Sequence, residues 1–125
     1  RDTRDGVGYA FFVFRRDDDC LLGGITLSNV RRGVTQSCAM GYWMGQKYAG
    51  QGLMQDGVAT SLSFVFDELG LHRLEAACLP HNEASTTVLL KCGFQKEGFA
   101  RKYLRINGKW SDHVLFAMLQ SDRRK

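Results

Sequence analysis

The sequence predicts an α/β fold built on one sheet of mixed strand direction. Strand-like apolar runs and two helical patterns follow one another as strand, strand, strand, helix, strand, helix, strand, strand. Asn107-Gly108 lies between the last two runs and is a strong signal for an antiparallel hairpin. A helix between two strands makes a parallel crossover instead. We therefore predict a mixed, mostly antiparallel sheet.

The first three strands are predicted within the first 44 residues. Residues 7–15 and 20–30 are apolar runs on either side of an acidic turn at residues 17–19. Gly23-Gly24 in the second run indicates a β-bulge. Residues 38–44 form the third strand. Because the chain starts without methionine and enters strand-like sequence at once, we expect a single domain over residues 1–125 that is an N-terminally truncated fragment.

A glycine-containing turn and a helix follow the third strand. From Leu53 to Leu69, apolar residues recur every three to five positions, as on one face of a helix. In the turn at residues 47–52, Gly50 and Gly52 leave room for a ligand beside the first, unpaired N–H groups of the helix. A phosphate or pyrophosphate fits there. A turn that binds no ligand is an equal alternative, because no phosphate-loop motif is present.

The remaining elements have clear boundary signals. Gly70 ends the first helix, and residues 72–78 form the next strand. Asn82 is the predicted N-cap of a second helix that ends at Gly93 and turns Val88 and Leu89 toward the core. The last two strands cover residues 99–106 and 109–119.

Composition narrows the function classes. The 125 residues are 44% hydrophobic, which supplies enough core for one domain. The net charge of +4 is a small excess, so a solvated surface is favoured over nucleic-acid binding. No run is long enough to span a membrane and no signal peptide is recognisable, so we expect a soluble cytoplasmic protein. The four cysteines lack metal-site spacing, and no metal is predicted.

Four segments, in order, resemble one enzyme family. They are GYWMGQKYAGQGLM at 41–54, LGLHRLEA at 69–76, LPHNEAS at 79–85 and KCGFQKEGFARKYLRINGKWSDHVL at 91–115. Together they resemble the GNAT superfamily of acetyl-CoA-dependent N-acetyltransferases, and within it the Rim-type ribosomal-protein-alanine N-acetyltransferases. The resemblance implies the GNAT (acyl-CoA N-acyltransferase) fold with a strand-turn-helix CoA site. By the same resemblance, we expect the N-terminal strand and helices of that fold to be absent from this chain.

The resemblance also implies a set of CoA contacts. In the superfamily, the turn before the helix follows a Gln/Arg-x-x-Gly-x-Gly/Ala pattern whose main-chain amides hold the pyrophosphate. Here Ala49, Gly52 and Met54 take the three defined places, so only the central glycine matches, although methionine in the last place is similar to Rim-type sequences. The implied CoA-binding residues are Tyr42, Trp43, Met44, Ala49, Gly50, Gln51, Gly52, Leu53, Met54, Asn82 and Ser85.

Acetyl transfer needs a donor for the oxyanion and an acid for the leaving thiolate. The resemblance assigns the first role to the main-chain N–H of Trp43 or Met44. Many GNAT enzymes use a tyrosine of the second helix as the acid, but Leu89 stands in its place. Rim-type enzymes are thought to use a serine one turn into that helix, which makes Ser85 the candidate acid. Without the resemblance, Ser85 reads as an ordinary first-turn serine.

A base must also keep the attacking amine neutral. Glu75, a carboxylate on an otherwise apolar strand, is the candidate. A surface ion pair of Glu75 with Arg73 or Arg101 is an equal alternative. The remaining candidates are three histidines and two hairpin residues that resemblance places near the acceptor: His72, His81, His113, Tyr103 and Asp112.

The leading hypothesis is an N-acetyltransferase that moves acetyl from acetyl-CoA to a primary amine by direct attack in a ternary complex. The expected acceptor is the N-terminal α-amino group of a ribosomal protein. Polyamines, amino acids and aminoglycosides are the alternative acceptors, because fold and cofactor do not decide the acceptor. The departures at Ala49 and Leu89 motivate a second hypothesis, a non-catalytic CoA-binding module. The sequence leaves the oligomeric state open.

Overall fold

The computed structural model describes residues 8–14, 20–44 and 53–124. The six strands and two helices are β1 (Tyr9–Phe14), β2 (Leu21–Arg31), β3 (Ser37–Met44), α1 (Leu53–Ser63), β4 (Arg73–Cys78), α2 (Glu83–Lys91), β5 (Gln95–Ile106) and β6 (Lys109–Leu119). A π-helical turn, Phe64–Glu68, extends α1, and a 3-10 helix, Gln120–Arg124, follows β6. This order confirms the predicted succession of elements. The predicted turns at residues 17–19 and 47–52 lie outside the described residues.

The strands form one sheet in the order β1-β2-β3-β4-β6-β5. β3 and β4, which α1 connects, run parallel, and every other pair of neighbours is antiparallel. The prediction of a mixed, mostly antiparallel sheet is thus confirmed. The turn between β5 and β6 has positive φ at Asn107 (52°) and Gly108 (79°), as a two-residue hairpin of the type I′ class requires.

The core lies between one face of the sheet and the two helices. Its members are fully or almost fully buried and include Leu27, Met40, Leu74 and Phe116 from the strands and Val58, Phe66 and Leu89 from the helical segments. Alternate strand residues point to the opposite face, where Phe12 and Trp43 are half or more exposed. We call this second surface the outer face. None of the helices that the structure describes is long and apolar enough to cross a membrane.

The predicted bulge at Gly23-Gly24 is wrong. Both glycines pair with β3, opposite Met44 and Trp43, and β2 is irregular instead at Leu22 and at residues 29–30. Gly24 has a different reason to lack a side chain. A Cβ there would lie 2.6 Å from Nε1 of Trp43, whose ring packs across the glycine on the outer face.

Candidate active site

The seam between β3 and β4 opens toward the carboxyl ends of both strands. Residues 37–40 pair with residues 73–76, and there the described pairing ends. β3 continues to Met44 with only β2 beside it, and β4 continues to Cys78 with only β6 beside it. The parting strands leave a gap in the sheet. In open α/β sheets, the carboxyl ends of adjacent parallel strands are where ligands bind.

The first turn of α2 lies beside this gap. Asn82 is the N-cap, as predicted, and its Oδ1 accepts a hydrogen bond of 3.0 Å from the backbone N–H of Ser85. The Sγ of Cys78, the last residue of β4, is 3.4 Å from Oγ1 of Thr86. The cap and this contact fix the first turn of α2 to the end of β4, so the direction of the Ser85 side chain is defined.

Tyr42 joins β3 to this turn across the gap. Its side chain points to the helix-covered face, and its Oη lies 2.7 Å from Oγ of Ser85. The same phenol also donates to the main-chain carbonyl of Ser85 at 3.1 Å. Tyr42 and Ser85, two of the residues that resemblance assigns to the CoA site, therefore form one hydroxyl pair in a partly buried position.

Burial raises the pKa of Tyr42 to about 12, and the hydrogen bond with Ser85 opposes that rise only in part. The phenol is therefore protonated at neutral pH. It has one proton and two acceptors within reach, the hydroxyl and the carbonyl of Ser85. When the proton points to the hydroxyl oxygen, the proton of Ser85 is free to point into the gap. The pair can thus present one O–H donor to a ligand.

Leu89 is the residue that the resemblance places where many GNAT enzymes have a tyrosine. Its side chain is completely buried in the core, so no hydroxyl comes from this point of α2. Tyr42 brings a phenol to Ser85 from the opposite side of the gap. The sequence contains one signal for this contact, since Tyr42 shares strand parity with the core residues Cys38 and Met40 and so must face the helices.

The other predicted CoA residues are placed unevenly. Ala49, Gly50, Gln51 and Gly52 lie outside the described residues, and Met44 and Leu53 are the strand and helix ends on either side of them. The Met54 side chain is buried in the core, which leaves its main chain for the predicted contact. The Trp43 side chain lies on the outer face, so only its main chain borders the gap.

Glu75 is not brought together with Ser85. It pairs with Ala39 in the closed part of the seam, and its side chain lies on the outer face with 48% of its surface exposed. Arg73 donates to Glu75 at 2.8 Å and also binds Glu97, whose pKa it lowers by hydrogen bonding. Of the two ion pairs offered as alternatives from the sequence, the one with Arg73 is present. The role of Glu75 as a base is untested by this placement, which favours the alternative of a surface ion pair.

The remaining candidates belong mostly to the β5–β6 hairpin. His113 is buried, its Nδ1 is 2.9 Å from the carbonyl oxygen of Ser111, and its ring meets the edge of Tyr103. Asp112 accepts a hydrogen bond of 2.9 Å from the backbone N–H of Lys102. His72 and His81 are exposed. In the part of the chain that the structure describes, no cluster of three or more acidic, histidine or cysteine side chains is arranged to hold a metal ion.

Comparison with known proteins identifies the family of this chain. The chain belongs to the acetyltransferase (GNAT) domain family, which matches residues 1–95. It is 38% identical over 119 residues to the [ribosomal protein uS5]-alanine N-acetyltransferase of Escherichia coli, covering 95% of this chain and 61% of that protein. It is 42% identical over 114 residues to the "Probable N-acetyltransferase YjcK" of Bacillus subtilis, covering 91% of this chain and 63% of that protein.

Among solved structures, Mycobacterium smegmatis RimJ in complex with CoA-disulfide superposes with a TM-score of 0.90 at 32% identity, covering 99% of this chain and 58% of that one. The fold is therefore the GNAT fold, as the resemblance implied. The chain spans about three fifths of the length of the curated relatives it matches.

Proposed function

We propose that this chain is the catalytic domain of an N-acetyltransferase that moves acetyl from acetyl-CoA to a primary amine, the N-terminal α-amino group of a ribosomal protein. The observation that carries the proposal is the Tyr42–Ser85 hydroxyl pair at the open seam of a GNAT domain. The choice of acceptor is supported by the name of the Escherichia coli relative.

The position of the gap, between the end of the β3–β4 pairing and the first turn of α2, suits a long thioester. The helix α1 starts at Leu53, and its first N–H groups have no partner within the helix, so they suit a pyrophosphate. In the proposed complex, the acyl end lies between the parted strands and reaches Ser85. The N–H groups of successive strand residues point to opposite edges, so one of Trp43 and Met44 turns its N–H toward the gap. That group is the proposed oxyanion donor.

Ser85 is the proposed acid. As the amine forms its bond to the acetyl carbon, the C–S bond breaks and the thiolate receives the proton of Ser85. The hydrogen bond that Tyr42 donates to the Ser85 oxygen stabilises the charge that develops there, and water returns one proton to Ser85. The proton of the amine leaves to solvent or to a base. Tyr42 acts through Ser85 and is therefore a positioning residue.

The test combines acetyl-CoA with two amine acceptors and one blocked control peptide. Titration calorimetry with acetyl-CoA is expected to give affinity in the micromolar range, and mass spectrometry is expected to show acetylation of a peptide with a free N-terminal alanine. A peptide with a blocked N-terminus is the control. Preferred acetylation of spermidine would identify a small-amine acetyltransferase. Binding without turnover on any amine would favour a non-catalytic CoA module, and no heat with acetyl-CoA would contradict both.

A further inference from the structure

The end of the β5–β6 hairpin projects from the sheet. β4 pairs with residues 114–119 of β6, so residues 109–113 have only β5 as a neighbour. On β5, residues 101–106 are all exposed. Residues 99–113, which we call the basic arm, thus form a two-stranded ribbon about 17 Å long, with an irregularity in β5 between Ala100 and Leu104. An isolated hairpin is only marginally stable in water. A ribbon that projects from the sheet is therefore a candidate for a binding role.

Most of the net charge of the chain lies on this arm. It carries four cations, Arg101, Lys102, Arg105 and Lys109, against the single acid Asp112, a net charge of +3 in a chain whose total is +4. Asp112 is engaged by a main-chain N–H. The ion pairs within the described ranges involve Arg73 and Arg123 but none of these four cations. The arm therefore has an uncompensated positive field.

Exposed aromatic rings lie between the cations. Phe99, Tyr103 and Trp110 are 55%, 46% and 55% exposed. Surfaces that bind single-stranded nucleic acid combine cations with exposed aromatic rings. The cations contact phosphates, and the rings stack on bases. The carboxylates of an acidic protein segment would pair with the cations but carry no aromatic base to stack on the rings. The rings therefore favour a nucleic acid over an acidic protein.

We propose that the basic arm binds single-stranded RNA. The small total charge of the chain does not indicate this surface. Positive and negative charges elsewhere in the chain cancel in the total, whereas the cations of the arm are close together. The choice of RNA over DNA rests on the proposed ribosomal acceptor. Binding itself does not depend on acetyl transfer, so the two proposals are tested separately.

The experiment measures fluorescence anisotropy of a labelled, unstructured RNA of about 12 nucleotides. The whole chain is titrated at KCl concentrations from about 50 to 200 mM, and the slope of log K against log salt is taken. In the variant Arg101→Gln/Arg105→Gln/Lys109→Gln the slope is expected to fall by about 2, because each lost phosphate contact removes about 0.7. The variant Trp110→Leu is expected to bind about tenfold more weakly through lost stacking.

A matched control has the same total charge. Arg31→Gln/Lys91→Gln/Lys96→Gln removes three exposed cations outside the arm and is expected to keep the wild-type slope. Circular dichroism checks that each variant is folded, and Lys109→Gln alone, with an expected fall of about 0.7, replaces the triple variant if that unfolds. Calorimetry with acetyl-CoA on the same samples is expected to show unchanged binding.

Four results would overturn the proposal. The first would be failure of the wild type to bind RNA. The second would be a control variant whose slope of log K against log salt falls as much as that of the arm variant. A polyglutamate of equal length competes as well as RNA while Trp110→Leu has no effect, which would indicate an acidic protein partner. Tighter binding of the DNA of the same sequence would remove the assignment to RNA.

Discussion

The two seams that flank β4 are built differently. On one side, all six residues of β4 pair antiparallel with β6. On the other side, only four of them pair with the parallel neighbour β3. The first seam is paired along its whole length and supports the core. The second opens at the carboxyl ends of its strands, and Tyr42 and Ser85 contact each other at that opening. One strand thus serves stability along one edge and the candidate site along the other.

The largest effect is expected in the closed part. Leu74 is completely buried, opposite Met118 on β6 and Cys38 on β3. Leu74→Ala should lower the free energy of unfolding by about 3 kcal/mol, since it removes buried methyl groups and leaves a cavity. Urea denaturation monitored by circular dichroism measures the change. A loss below about 1 kcal/mol would mean that the sheet does not need this position to be filled.

The next effect concerns the open end. Ser85→Ala should reduce kcat about 100-fold while KM for acetyl-CoA stays nearly constant, because the lost proton donor acts on the leaving group. Steady-state kinetics with the alanine peptide measures both constants. Ser28→Ala, an exposed serine of β2, is the matched control and should behave as wild type. An unchanged kcat in Ser85→Ala would remove Ser85 from the proposed mechanism.

Much of the fold can be predicted from the sequence, because many of the signals act between residues that are close in the chain. Cap and turn residues such as Asn82 and Asn107-Gly108 act within a few positions, so they predict helix starts and hairpins correctly. The bulge at Gly23-Gly24 was misplaced because the need for glycine comes from Trp43 on another strand. The contact of Tyr42 with Ser85 joins residues 43 positions apart, and no spacing rule reaches that far.

The ionisation of Cys38, a residue of the closed seam, makes the stability of the fold depend on pH. Burial, followed by the charge of Glu75, raises the pKa of its thiol from 9.0 to about 11. Between these values the folded chain keeps a proton that the unfolded chain has lost, so stability falls as pH rises from 9 to 11. The loss should be on the order of 2 kcal/mol. Urea denaturation at both ends of this window should show a smaller loss in Cys38→Ala, and an equal loss would contradict the assignment.

Tyr42→Phe removes the hydroxyl of the pair and keeps the ring. We expect a fall in kcat of about tenfold with little change in KM, and a fall in stability of about 1 kcal/mol. Tyr9→Phe is the matched control, because Tyr9 lies on the edge strand β1 and packs its ring against Phe64, away from Ser85. If Tyr42→Phe changed KM alone, Tyr42 would only line the cofactor site and would not orient Ser85.

Glu75→Gln should give the smallest effect. The side chain is exposed on the outer face and paired with Arg73, and such ion pairs contribute at most about 1 kcal/mol. Activity should fall less than about twofold, far from the range of at least about 100-fold for loss of a general base. The pH profile of kcat/KM tests this directly. A loss of that size together with a shifted acidic limb would establish Glu75 as the base.

The central claim is that the thioester lies in the gap between β3 and β4 with its sulfur beside Ser85. A crystal structure of the chain with bound CoA tests it most directly. We predict the sulfur within hydrogen-bonding reach of Oγ of Ser85, on the helix-covered face, with the Tyr42 hydroxyl still bound to that oxygen. A CoA molecule whose sulfur lies on the outer face, or away from the gap altogether, would contradict the account.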